Sequence, residues 1–232
     1  MKNLIVLFVV LFSSTYSFAQ PSHEAFDTLL KKHVSVTGKV NYKNLKADKA
    51  ALEAYLKTLS ENTPVDSWSK NDKFAYWINA YNATTLKTIV DNYPLSSITK
   101  LDGGKTWDVK RIKLGDKTYS LNDIENTILR PMGDARIHFA INCAAKSCPP
   151  LLNQAFTGKN LNALLESRTK KFINDPKANA LSKGGEIKVS KIFDWYGKDF
   201  YNITEFINRY AVSKVDSKAK IGYVEYDWAL NE

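Results

Sequence analysis

The chain has few of the side chains that carry chemistry. Its 232 residues include two cysteines and three histidines, and the cysteines lack the tight Cys-x-x-Cys pairing of a regular zinc site. Arginine is scarce as well, with five residues among the 33 basic ones. Lysines scattered singly along a chain are typical of a solvated surface, whereas nucleic-acid readers cluster arginine with aromatics. The net charge of +9 therefore indicates no nucleic-acid partner, and no cofactor or metal is predicted.

Long hydrophobic segments are missing after the N-terminus. The one apolar run, residues 4–12, spans about 13 Å as a helix, far short of the ~30 Å hydrocarbon core of a membrane. It follows Lys2 and precedes a small, polar stretch that ends at Ala19, which is the pattern of a secretory signal peptide. We predict a cleaved leader over residues 1–19, one globular domain over 20–232, no membrane span, and a secreted or periplasmic location.

Apolar periodicity predicts helices first and strands later. Ser69 and Ser120 are predicted N-caps, and Gly115-Asp116 is a predicted two-residue hairpin turn. The predicted helices are 24–33, 48–59, 70–92, 160–173 and 203–211, and the predicted strands are 107–114, 117–119, 135–142, 187–189 and 223–228. Together they indicate an α+β fold that is rich in helix and has a small, largely antiparallel sheet.

Both cysteines and His138 lie within residues 136–151. If 135–142 is a strand, His138 and Cys143 start on opposite faces, and a direct pair requires a sharp bend after Ile141. Pro149 favours a short helix over 149–155 with Cys148 at its N-cap, where the helix dipole would stabilise a thiolate. On these residues alone, Cys148 is the easier nucleophile.

Five motifs occur in order between residues 22 and 231: WINAYNA, LNDIENTILRP, DARIHFAINCAAKSCPPL, KIFDWYGKDF and YDWALN. They resemble the family called domain of unknown function 547. The resemblance implies a fold distantly similar to that of papain-like or transglutaminase-like thiol enzymes. It also favours Cys143, because the family pattern resembles Cys-small-x-x-Ser-Cys/Ser-Pro and accepts serine at the second position. Both cysteines therefore stay candidates.

The first functional hypothesis is a thiol-dependent hydrolase or transferase that acts on peptide, amide or acyl bonds in the cell envelope. Cys143 or Cys148 would be the nucleophile, His138 the base, and Glu125 the acid that orients it. Arg136 would bind an anionic group of an envelope ligand. Two amides and two aromatics of the long predicted helix would line the site: Asn79, Asn82, Trp77 and Tyr81.

Two other interpretations fit the same residues. In an oxidising compartment, Cys143 and Cys148 can close a disulfide that silences both thiols. The protein would then be a non-catalytic module that binds a glycan or peptide in an aromatic groove made by Trp77, Tyr81, Trp107, Trp195 and Tyr196. A zinc site of His138, Cys143 and Cys148 has the right ligand types but irregular spacing.

Overall fold

The computed structural model describes residues 20–181 and 185–232, so the predicted leader over 1–19 lies outside the described residues. The architecture is α+β, as predicted. The α-helices are α1 (Glu24–His33), α2 (Tyr42–Ala47), α3 (Lys49–Glu61), α4 (Lys70–Asp91), α5 (Leu161–Ile173), α6 (Ile192–Trp195) and α7 (Ile203–Tyr210). The strands are β1 (Ile112–Leu114), β2 (Lys117–Tyr119), β3 (Glu186–Val189) and β4 (Lys220–Tyr223). No helix within the described residues is long and apolar enough to cross a membrane.

The central helix α4 begins where its sequence predicts. The Ser69 hydroxyl accepts a hydrogen bond from the Asp72 amide at 3.1 Å, which satisfies one of the free amides of the first turn. Most of α4 is buried, including both asparagines of the WINAYNA motif. Helices α2 and α3 pack against α4, so α4 forms the middle of the helical half of the protein.

The strands of the described residues form two separate pairs. β1 and β2 form the predicted hairpin, with Gly115 at φ +60° in its turn. β3 and β4 pair in parallel, with Ile187 opposite Ile221. The last predicted strand, 223–228, is wrong in position, because the paired segment ends at Tyr223 and the residues after it bind the cysteine loop instead.

Two predicted elements around the cysteines are wrong. Residues 135–142 are not a strand, because Ala135–Phe139 form a 3-10 helix whose first turn is capped by Asp134. The alternation of apolar and polar residues, on which the predicted strand rests, does not mark two faces here. Ile137, His138 and Phe139 are all buried, so the segment has no solvated face. No helix forms over 149–155, and the Cys148 amide donates to the Ala145 carbonyl rather than beginning a helix.

The buried apolar side chains form two clusters. The larger one surrounds α4 and includes Ile137 and Ile141. The smaller one surrounds α6, α7 and β3 and includes Phe139. The 3-10 helix Ala135–Phe139 therefore contributes to both clusters. His138 lies between Ile137, which packs in the larger cluster, and Phe139, which packs in the smaller one.

Candidate functional site

A cleft of about 300 Å³ brings together most of the candidate residues. His138, Glu125, Cys143 and Cys148 all line it. The remaining lining residues are Tyr81, Gly104, Trp107, Asp108, Asn122, Ile141, Ile192, Trp195, Tyr196, Tyr226 and Trp228. Residues separated by more than a hundred positions in the sequence therefore share one cavity.

Cys143 is the half-buried thiol of the cleft. Its sulfur lies 3.1 Å from the Tyr226 hydroxyl. Hydrogen bonds from the Cys148 thiol, the Tyr226 hydroxyl and the Ala145 amide favour the thiolate and hold the pKa of Cys143 below its usual value, although burial opposes them. A thiol of lowered pKa is the nucleophilic form that thiol enzymes use.

Cys148 is the more buried of the two thiols, with 7% of its surface exposed. Burial raises its pKa well above the usual value, and the N-cap position that would have lowered it does not form. Its sulfur accepts a hydrogen bond from the Cys143 amide at 3.1 Å. Both cysteines are free thiols in the structure. Cys148 therefore supports Cys143 rather than competing with it.

His138 is held by an aspartate. Its Nε2 atom lies 2.8 Å from Asp199 Oδ2, and Arg130 donates to both oxygens of the same carboxylate at 2.7 and 2.8 Å. Burial lowers the pKa of His138 to about 4, against the opposing effect of Asp199. His138 is thus neutral at pH 7, with its proton on Nε2 because the Asp199 carboxylate can only accept. Its Nδ1 atom is buried without a hydrogen-bond partner among the described residues.

Glu125 lies at the buried side of the cleft, with 4% of its surface exposed. The Tyr81 hydroxyl donates to Glu125 Oε2 at 3.2 Å, and the Tyr196 hydroxyl also hydrogen-bonds this carboxyl. Burial raises the pKa of Glu125 against these hydrogen bonds. The carboxylate that orients His138 is Asp199, so the role that the sequence assigned to Glu125 belongs to a different residue.

Buried amides shape the loop that carries Cys143. The side chain of Asn82 donates to the Ala140 carbonyl at 3.0 Å and accepts from the backbone N–H of Asn142 at 2.8 Å. The side chain of Asn142 in turn accepts from the backbone N–H of Ala144 at 2.9 Å and donates to the Pro149 carbonyl. These bonds hold Ala144 in the left-handed region at φ +60°, which costs a non-glycine residue about 1–2 kcal/mol. Asn82 therefore positions the thiol loop and does not line the cleft.

Three other predicted binding residues lie outside the lining of the cleft. Arg136 makes a bidentate ion pair with Asp134 and also contacts Glu166, so its charge is already compensated. Asn79 exchanges two hydrogen bonds with the Phe156 backbone. Trp77 packs edge-on against Tyr119 at 5.4 Å, and both partly buried rings lie against the core around α4.

The sequence missed Asp199, Tyr226 and Trp228 as site residues. Tyr226 and Trp228 belong to the C-terminal segment, which is attached to the cysteine loop by backbone hydrogen bonds such as those from Lys146 to Ala229 and from Ser147 to Asp227. The repeated aromatics of KIFDWYGKDF and YDWALN were the available signal. No local pattern in either motif indicates a contact with residues 138–148.

Residues 65–173 match the model of the family described as "Protein of unknown function, DUF547", which confirms the resemblance that the motifs indicate. The matched range holds the three motifs that supply Tyr81, Glu125, His138 and both cysteines, whereas Asp199 and the C-terminal aromatics lie beyond it. No curated protein and no solved structure matches the chain. The likeness to papain-like or transglutaminase-like enzymes stays a prediction.

Proposed function

We propose that this protein is a thiol-dependent hydrolase or transferase that cleaves peptide, amide or other acyl bonds. The observation that carries the proposal is the shared cleft of Cys143, whose thiol has a lowered pKa, and His138, which is neutral and held by Asp199. A nucleophile, a base and a group that orients the base are the three parts that covalent catalysis by a thiol requires.

In the proposed reaction, the Cys143 sulfur attacks the acyl carbon and forms a thioester. The thiol proton passes through His138 to the departing amine or alcohol. Water then attacks the thioester while His138 accepts its proton, which releases the acid and restores the thiol. In a transferase, an amine or alcohol replaces water in the second step.

The test is to trap the thioester. Purified protein is mixed with activated acyl esters and amides, and the adduct is located by mass spectrometry after cleavage with trypsin, because Lys146 separates the peptides that carry Cys143 and Cys148. We expect the acyl group on Cys143 in the wild type and in Cys148→Ser, and no turnover in Cys143→Ala. Unchanged turnover in a folded Cys143→Ala variant, with wild-type circular dichroism, would contradict the proposal.

The second candidate function is a binding module without catalysis. It is favoured by Trp195, which is 46% exposed and stacks on Trp228 at 5.7 Å beside the cleft. Of the five aromatics that the sequence proposed for a groove, all except Trp77 line the cleft. Saturable quenching of tryptophan fluorescence by a glycan or peptide, without any turnover of it, would favour this function.

We also propose that the protein acts outside the cytoplasm, in the cell envelope or beyond it. Support comes from residues 1–19, whose basic start, apolar run and small residues before Gln20 follow the pattern of a secretory leader. Mass spectrometry of the protein isolated from native cells is expected to find Gln20 as the first residue. An intact N-terminus in the cytoplasmic fraction would contradict this location.

A further inference from the structure

The cleft differs in charge from the rest of the protein. The chain carries a net charge of +9, yet the cleft has no lysine or arginine among its lining residues within the described part of the chain. Its acidic side chains are those of Asp108 and Glu125. The guanidinium of Arg130 binds the same carboxylate as His138 and is neutralised by its bidentate pair with that group, which belongs to Asp199. An acidic cleft in a protein of positive net charge indicates that the cleft selects its ligand by charge and favours a cation.

Aromatic rings form one wall of the cleft. Trp228 contacts Trp107 at 5.7 Å, Trp195 at 5.7 Å and Tyr226 at 4.6 Å between ring centroids. The electron-rich faces of tryptophan and tyrosine attract cations, and this attraction is stronger where water is excluded. The same wall has no positively charged side chain that could pair with an anion.

Asp108 supplies a negative charge that no cationic side chain of the described residues neutralises. It is exposed and accepts a hydrogen bond from Asn122 at 2.6 Å, and among the described residues no lysine or arginine lies within ion-pair distance of it. Glu125 is buried deeper, where an approaching cation offsets the loss of hydration of its carboxylate. Both carboxyl groups and the aromatic wall therefore favour a positively charged group of the ligand.

We propose that the cleft selects an acyl substrate that carries a positively charged amine close to the bond that is cleaved. The amine contacts the wall formed by Trp107, Trp195, Tyr226 and Trp228 and is attracted by Asp108. This inference rests on the proposed function for the identity of the bond, although the recognition of a cation does not itself require catalysis. It replaces the anionic ligand expected from Arg136, which lies outside the cleft.

Thiol labelling tests the charge preference without turnover. Methanethiosulfonate reagents bearing a trimethylammonium or a sulfonate group react alike: the Cys143 thiolate attacks the reagent, forms a mixed disulfide and releases methanesulfinate. The rate of each is measured at Cys143 by peptide mass spectrometry in low salt and divided by its rate with the neutral thiol N-acetylcysteine amide. We expect the normalised rate of the cationic reagent to exceed that of the anionic one about tenfold, and the ratio to fall as salt screens the charges.

Two variants locate the origin of the preference. Asp108→Asn is expected to lower the ratio several-fold, whereas Asp116→Asn removes the same charge from an exposed hairpin turn outside the cleft and should leave it unchanged. A ratio of one or less in the wild type, or equal effects of the two variants, would overturn the proposal. A cationic preference together with no thioester would disprove the catalytic proposal and leave the cation site standing.

Discussion

At the scale of single residues, hydrogen bonding makes the two thiols unequal. Cys143 accepts hydrogen bonds that stabilise its thiolate, while Cys148 is buried and has a raised pKa. His138 is similarly defined by its contacts, because Asp199 fixes which nitrogen carries the proton. The chemistry of the cleft therefore depends on a few contacts that individual substitutions can remove.

Tyr226→Phe tests the first of these contacts. The substitution keeps the ring but removes the hydroxyl 3.1 Å from the Cys143 sulfur. A hydrogen bond to a charged group contributes about 1.5 kcal/mol, which corresponds to roughly tenfold in the thiolate fraction. The pKa of Cys143 should rise, so we expect its alkylation by iodoacetamide at pH 7 to slow and the midpoint of the rate profile to move to higher pH.

Tyr223→Phe is the matched control for this measurement. Tyr223 lies three residues earlier, at the end of β4, and does not line the cleft. Its hydroxyl can be removed without touching the thiol. If the two variants have the same pH profile as the wild type, Tyr226 does not stabilise the thiolate.

At the scale of elements, α4 positions two loops through two asparagines. Asn82 binds the backbone of the loop before Cys143, and Asn79, three residues earlier, binds the backbone of Phe156. Both amides are buried and each makes a pair of backbone hydrogen bonds. One helix thus offers a variant and its control in nearly identical surroundings.

Asn82→Ala and Asn79→Ala are expected to have similar effects on stability and different effects on reactivity. Each leaves buried backbone groups unsatisfied, which costs about 1–3 kcal/mol of unfolding free energy. Only Asn82→Ala should change the alkylation rate of Cys143, because only Asn82 holds the loop that precedes it. Urea denaturation and thiol labelling measure the two effects, and equal labelling rates in both variants would refute the positioning role.

The bounds of the longer helices follow from local chemistry, and the sequence prediction of these helices was accurate for that reason. α1 has the predicted bounds, α4 starts after its serine cap, and the hairpin turns at Gly115. The segment Asp123–Leu129 begins with the predicted capping box, since Ser120 and Asp123 exchange hydrogen bonds. Helix α2 was missed because six residues hold too little periodic pattern.

At the scale of the whole molecule, two histidines connect folding to pH: His138, which is buried, and His23, which is half-buried. Burial lowers the pKa of both His138 and His23 to about 4, whereas an unfolded histidine titrates near 6.5. Between these values the unfolded chain binds more protons than the native one, so stability is complete above pH 6.5 and decreases as the pH falls towards 4. Glu125 has the opposite effect on the pH dependence of stability, because its raised pKa makes the native protein bind one proton more readily than the unfolded chain does.

We expect the free energy of unfolding, measured by urea denaturation, to decrease steadily from pH 6.5 to about 4. Each histidine contributes a slope of at most about 1.4 kcal/mol per pH unit. His23→Gln lies outside the cleft described above and should reduce the slope, whatever it does to the stability at pH 7. A stability that is constant over this range would show that the histidines are not held neutral.

The sequence by itself determined the α+β class, most of the helices, the hairpin and the segment that contains the chemistry. These depend on periodicity, capping and turn residues, which act over a few positions. Only the tertiary structure decided that Asp199 holds His138 across 61 residues and that Tyr226 reaches Cys143 across 83. It also decided which of the two thiols has the lower pKa. That pKa depends on burial and on hydrogen-bond donors that come from distant parts of the chain.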